Sequence, residues 1–219
     1  MIVQNFKKYF IEFLGTAILL ATVIGSGIMG EMLSEGNDAI ALLANTIATG
    51  AILYVLITMF GSISGAHFNP VVSLVFLIKK EIDFNIFILY IFAQVLGGLF
   101  GMLIAHFMFD TDLLQYSSQI RIGPSLWFSE FIAAFGLILT ILFTIKENQK
   151  SVAISVGLYI TAAYWFTAST SFANPAVTIA RTFTDTFSGI HYSGTIYFII
   201  AQSFGALLAL IIHNAVYKK

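Results

Sequence analysis

The sequence predicts an all-α membrane protein: six transmembrane helices plus two re-entrant half-helices, arranged as an inverted three-span repeat. Three observations carry this. The chain of 219 residues is 58% hydrophobic and only 10% charged, where soluble domains carry about a quarter charged residues. Apolar runs of crossing length recur along the whole chain. One short motif occurs twice, as Asn69-Pro70-Val71 and Asn174-Pro175-Ala176. Each copy lies between apolar runs, behind a small polar stretch at 62–68 or 167–173.

A helix of about 17–25 apolar residues crosses a bilayer. Such runs lie at 10–28, 39–60, 86–108, 126–145, 152–168 and 195–216. The first lacks a small-residue cleavage site with a polar sequel, so it reads as a retained span. The Asn-Pro motifs follow the second and fifth spans. The apolar stretches behind them, 71–78 and 177–180, are too short to cross and fit half-helices. Asn caps free backbone N–H groups, and Pro suits the first helical position because its missing N–H is not needed there. With the N-terminus inside, Lys7, Lys8, Lys79, Lys80, Lys146, Lys150, Lys218 and Lys219 are cytoplasmic. Only Arg121 and Arg181 fall outside. That asymmetry follows the positive-inside rule and places both termini inside.

The chain repeats itself within one domain, 1–219, with halves at about 1–110 and 120–219. Glu12-Phe13-Leu14-Gly15 matches Glu130-Phe131-Ile132-Ala133, and Ala93-Gln94-Val95-Leu96-Gly97-Gly98 matches Ala201-Gln202-Ser203-Phe204-Gly205-Ala206. Each half has an odd number of spans, so the second is inverted. Inverted repeats bring their broken helices to a shared midplane site. Each half-helix N-terminus carries about half a positive charge and unpaired N–H donors. Such a meeting point repels cations and hydronium. A neutral solute can accept from the Asn69 and Asn174 amides. Unwound backbone at 65–68 and 170–173 is tolerated at membrane depth only where it is buried or lines a watery path.

The net charge of −1 indicates no nucleic-acid partner, and with no cysteine there is no disulfide, thiolate metal site or cysteine nucleophile. His106, His191 and His213 have no ligand spacing, so no metal or cofactor is expected. No nucleophile stands beside a base, and no enzyme is expected.

At these residues the chain resembles the aquaporin, or major intrinsic protein, superfamily of water and glycerol channels. The resemblance covers both Asn-Pro loops, the stretch Ser64-Gly65-Ala66-His67-Phe68-Asn69-Pro70, both glutamates and both Ala-Gln segments. It implies passive conduction by a homotetramer in the lipid bilayer, one pore per subunit, with no cofactor. A bacterial inner membrane is the expected location. It also implies an outer selectivity filter. Counting from the Asn residues gives Thr49 (followed by Gly50), Ala162, Ser171 and Val177. The family normally has arginine where Val177 stands. The aperture is therefore expected to be wider and less charged than a strict water filter. It would admit glycerol, urea or neutral metalloid hydroxides such as arsenite in its protonated form. Arg181 lies one turn beyond Val177 and either enters the outer vestibule or snorkels to headgroups.

Glu12 and Glu130 are the acidic residues inside the spans. They can support the re-entrant loops, face headgroups or relay protons. His67 is expected near the inner pore mouth, either as a titrating gate or as a neutral ring fixed by the loop. Gly97, Gly98 and Gly205 read as close-packing positions between helices. Two other classes stay open. One is an ion-coupled secondary transporter, which also uses inverted repeats. The other is a closed structural or adhesive member, with Val71 and nearby phenylalanines obstructing the path.

Overall fold

The computed structural model describes residues 2–217; Lys218 and Lys219, counted above as cytoplasmic, lie outside the described residues. Among the described residues every regular element is helical. The order is α1 (Ile2–Leu33), α2 (Asp38–Ser64), α3 (Pro70–Ile78), α4 (Phe84–Met108), α5 (Pro124–Asn148), α6 (Val152–Phe166), α7 (Pro175–Ala180) and α8 (Tyr192–Tyr217). Short 3-10 turns follow α5 at Gln149–Ser151 and α7 at Arg181–Phe183.

Five segments are long and apolar enough to cross a membrane. One of them, Pro124–Phe166, has 43 residues, about twice what one crossing needs. It contains both α5 and α6. The chain reverses at the 3-10 turn, where the Asn148 side chain accepts from the Lys150 amide and donates to Ser151 Oγ at 2.8 Å. Tyr159 then reaches back to donate to the carbonyls of Ile132 and Ala133, at 3.3 and 3.0 Å. Residues that far apart would be separated by about 40 Å along one straight helix. Six helices therefore cross, and α3 and α7 enter only part way. Helix α6, with 15 residues, spans roughly 22 Å. Its crossing is completed by the loop 167–174 that leads to α7.

Close backbone contact holds the helices together. A Cβ added at Gly97 or Gly101 of α4 would overlap the α1 carbonyls of Phe13 and Ala17, and one at Gly205 of α8 would overlap the α5 carbonyl of Phe131. At the α2–α6 crossing, a Cβ on Gly157 would lie 2.7 Å from the Gly50 carbonyl. In lipid, where apolar burial drives little helix association, such small-residue contacts supply the packing. The outward faces carry exposed apolar side chains, among them Phe92, Leu96 and Phe100 of α4 and Phe204 and Ile211 of α8.

Gly97→Val is expected to destabilise by about 2–3 kcal/mol or more, because it overpacks against backbone that cannot rotate away. Gly61→Ala, with nothing within 4 Å of the added carbon, is the neutral control. Melting in detergent checks both; equal melting temperatures would refute the packing role.

Candidate functional site

The two half-helices meet end to end. The Asn69 Oδ1 accepts from the Val71 amide at 3.0 Å, and the Asn174 Oδ1 accepts from Ala176 and Val177 at 2.9 and 3.3 Å. Both caps are extended, and Pro70 and Pro175 occupy the first helical positions. The amide groups then cross over. Asn69 Nδ2 donates to the Ala173 carbonyl at 2.8 Å, and Asn174 Nδ2 donates to the Phe68 carbonyl at 2.8 Å. Each asparagine thus caps its own half-helix and ties down the loop of the other. An NH2 group has two hydrogens, so each retains one beyond this bond.

The loops before the caps are strained. Ala66, Phe68, Thr170, Ser171 and Ala173 all have φ between 47° and 63°, a left-handed conformation that costs non-glycine residues about 1–2 kcal/mol each. Two buried glutamates hold them. Glu12 Oε1 accepts from the Ser64 hydroxyl (2.6 Å) and the His67 amide (3.0 Å), while Oε2 accepts from the Phe68 amide (2.7 Å) and Gln94 Nε2 (2.8 Å). Glu130 repeats the pattern. Its Oε1 accepts from Ser169 and the Phe172 amide at 2.6 and 2.8 Å, and its Oε2 accepts from the Ala173 amide and Gln202 at 2.8 and 2.6 Å. The glutamines also donate to Ser73 and Thr178 on the half-helices, at 3.0 and 2.9 Å. Neither glutamate is solvent-exposed, so the headgroup-facing reading of Glu12 does not hold.

A cavity of about 100 Å³ runs past this junction. Asn69 and Asn174 line it, as do Gly65, Ala66, His67, Phe68, Ser171, Phe172, Ala173, Val72 and Val177. Helices α1, α2, α5 and α6 supply a wall that is apolar except for Thr49 and Tyr164. Pro70, Val71, Pro175 and Ala176 are buried in the half-helices and are not among the lining residues. Val71 therefore does not narrow the cavity; Val72 faces it. His67 lines the wall, with Nδ1 3.0 Å from Ser73 Oγ and its ring against Phe76 and Tyr90.

Two expectations need correction. Ala162 is exposed on the outer surface of α6, away from Thr49, Ser171 and Val177. Tyr164 takes its place, lining the cavity with its hydroxyl 3.3 Å from Thr49 Oγ1. Two residues along a helix turn it by about 200°, so a count that misses by two lands on the opposite face. The count assumed a fixed length for the connection from α6 to Asn174, which sequence alone does not reveal. Arg181 neither reaches open vestibule nor snorkels. It is 1% exposed, its Nε donates to the Ser188 carbonyl, and its guanidinium carbon lies 3.4 Å from the centre of the Phe172 ring.

The sequence reading also missed what Ser64, Ser169, Gln94 and Gln202 do. A signal was present. Each serine stands five residues before its asparagine, and each glutamine belongs to the repeated Ala-Gln segment.

Comparison with known proteins agrees with this geometry. The family model described as Major intrinsic protein matches residues 1–160. Aquaglyceroporin AqpS of Rhizobium meliloti (strain 1021) is 55% identical over 199 residues, covering 91% of this chain and 85% of that protein. A glycerol uptake facilitator protein-like 6 of Lactiplantibacillus plantarum is 29% identical, covering 93% and 94%. The X-ray structure of the aquaglyceroporin from Plasmodium falciparum shares the fold, with a TM-score of 0.79 at 21% identity over 97% of this chain and 96% of that one. With a family model over most of its length and so similar a relative, this multi-pass membrane chain belongs to the major intrinsic protein family.

Proposed function

We propose that the cavity is a passive pore for water and small uncharged polar solutes, with an outer constriction wide enough for glycerol, urea and neutral metalloid hydroxides such as arsenous acid. One observation carries the reading. Four residues that line the cavity, Thr49, Tyr164, Ser171 and Val177, include no charged side chain, and the Tyr164 hydroxyl lies 3.3 Å from Thr49 Oγ1. Three carry hydroxyls that exchange hydrogen bonds with a polyol or a metalloid hydroxide. Val177 supplies an apolar edge against which a carbon backbone slides. The similarity to proteins named aquaglyceroporins supports solutes larger than water.

Deeper in, a solute meets the spare N–H of Asn69 and of Asn174 between two helix N-termini. Their partial positive charges disfavour cations and leave neutral molecules untouched. Glu12 and Glu130 are positioning residues for the loops, and their filled acceptor sets leave no role as proton relays. His67 serves as a neutral wall residue. The working form is a homotetramer in a bacterial inner membrane. Lys7, Lys8, Lys79, Lys80, Lys146 and Lys150 face the cytoplasm there, and Arg121 and Arg181 lie on the outer side, in keeping with the positive-inside rule.

Stopped-flow light scattering on proteoliposomes, with water, glycerol, urea and arsenite in parallel, tests this. Faster, non-saturating equilibration than in empty vesicles is expected. No flux for any solute overturns the pore; saturable uptake driven by an ion gradient makes the chain a transporter instead.

A further inference from the structure

Two arginines converge on one wall residue of the cavity. The guanidinium carbons of Arg181 and Arg121 lie over the Phe172 ring, 3.4 and 5.4 Å from its centre. Their hydrogen bonds all go to loop carbonyls. Arg181 Nε donates to Ser188, and Arg121 donates to Gly189 at 2.9 Å, Phe187 at 3.3 Å and Ser169 at 3.4 Å. Arg181 Nη1 is buried with no partner. Neither arginine has a carboxylate in contact; among the described residues the one ion pair is Lys79–Glu81. Arg181 has Tyr164, Arg121 and Glu130 as its titratable neighbours, and Glu130 is already engaged by four donors.

The carboxylate of Glu130 is the counter-charge near both arginines but touches neither, and a buried charge with no carboxylate in contact is expensive. Bonding to loop carbonyls does not by itself require charge, because a neutral amide also donates, though more weakly. What the charge adds is field. Phe172 lines the cavity and neither arginine does, and an aromatic ring does little to screen the guanidiniums over it. Both half-helix N-termini add positive potential in the same direction.

We propose that Arg181 and Arg121, acting from behind Phe172, give the outer half of the pore a fixed positive potential that rejects cations without narrowing the path for neutral solutes. The proposal rests on the pore reading above. By Coulomb's law at an effective dielectric of about 20, a unit charge about 10 Å from a cation changes that cation's occupancy on the order of tenfold.

The test is made on proteoliposomes and planar bilayers, with glycerol flux and K⁺ and H⁺ conductance measured on the same preparations. Arg181→Met, close in length but uncharged, is expected to raise cation conductance about tenfold while glycerol flux stays within about twofold. Arg181→Lys is expected to keep the barrier. Arg121→Gln, at a half-buried loop position, shows a smaller rise in the same direction and carries the test if Arg181→Met does not fold. Unchanged cation conductance in the uncharged variants, with glycerol flux intact, overturns the proposal, as does equal leak in Arg181→Lys and Arg181→Met. Absence of glycerol flux in the unmodified protein instead overturns the pore itself, so the two failures are distinguishable.

Discussion

Glu130→Gln is expected to destabilise the protein by about 1–3 kcal/mol and to cut solute flux at least tenfold, although it changes one atom of the side chain. All four groups around the carboxylate are donors: the Ser169 hydroxyl, the Phe172 and Ala173 amides and Gln202 Nε2. Glutamine offers one acceptor oxygen and one NH2 group. Turned one way, its NH2 faces the Ala173 amide and Gln202 Nε2; turned the other, it faces the Phe172 amide and the Ser169 hydroxyl, which can rotate to accept, so at least one buried backbone donor is orphaned. Each buried donor so orphaned costs roughly 1–3 kcal/mol. The loop it releases holds Thr170, Ser171 and Ala173 at positive φ, so the freed backbone relaxes out of the cavity wall. Melting in detergent and glycerol flux in vesicles measure the two effects. Wild-type values for both would show that the carboxylate is not what holds the loop. Glu12→Gln is expected to behave alike, since its four partners are of the same kinds.

Val177→Arg is the second large effect. Val177 is buried and lines the same cavity as Thr49 and Tyr164. A longer side chain there intrudes on the path. Overlap worth about 1.4 kcal/mol or more slows passage tenfold or more. Glycerol and arsenite flux are expected to fall by at least that factor, and water flux by much less, because water needs a narrower opening. Ala162→Leu is the matched control. Its side chain points outward from α6, so all three fluxes should persist. The opposite result, with loss in Ala162→Leu and none in Val177→Arg, would return the constriction to the counted position. Parallel light-scattering traces for the three solutes decide it.

These variants also mark where sequence reasoning reached its limit. The long spans were legible because hydropathy is a property summed over many residues, and small errors at each end leave the sum intact. Helix α1 extends beyond 10–28 at both ends, to Ile2 and Leu33, and α6 stops at Phe166, yet neither changes the number of crossings. The half-helix starts were legible because Asn-Pro encodes a local rule: cap and first turn are decided within a few residues.

Ala162 and Arg181 were misplaced for a different reason. Their positions depend on the length and path of a loop and on what packs against it. Rotation along a helix turns a small error in count into the wrong face. Arg181 was judged by its helical spacing from Val177, but α7 ends at Ala180 and the chain tightens into a 3-10 turn. The guanidinium is then carried onto Phe172 rather than toward water or headgroups.

By itself, then, the sequence determined the class of molecule, the crossings, the two opposed half-helices and the family. All of these arise from local chemistry repeated along the chain. Only the tertiary structure decided that each asparagine ties down the opposing loop, that Tyr164 lines the cavity beside Thr49, and that two arginines with no carboxylate in contact lie over Phe172. Those facts are contacts between residues far apart in the chain. Their geometry is set where helices meet backbone to backbone at Gly97, Gly157 and Gly205, and no local pattern encodes that distance.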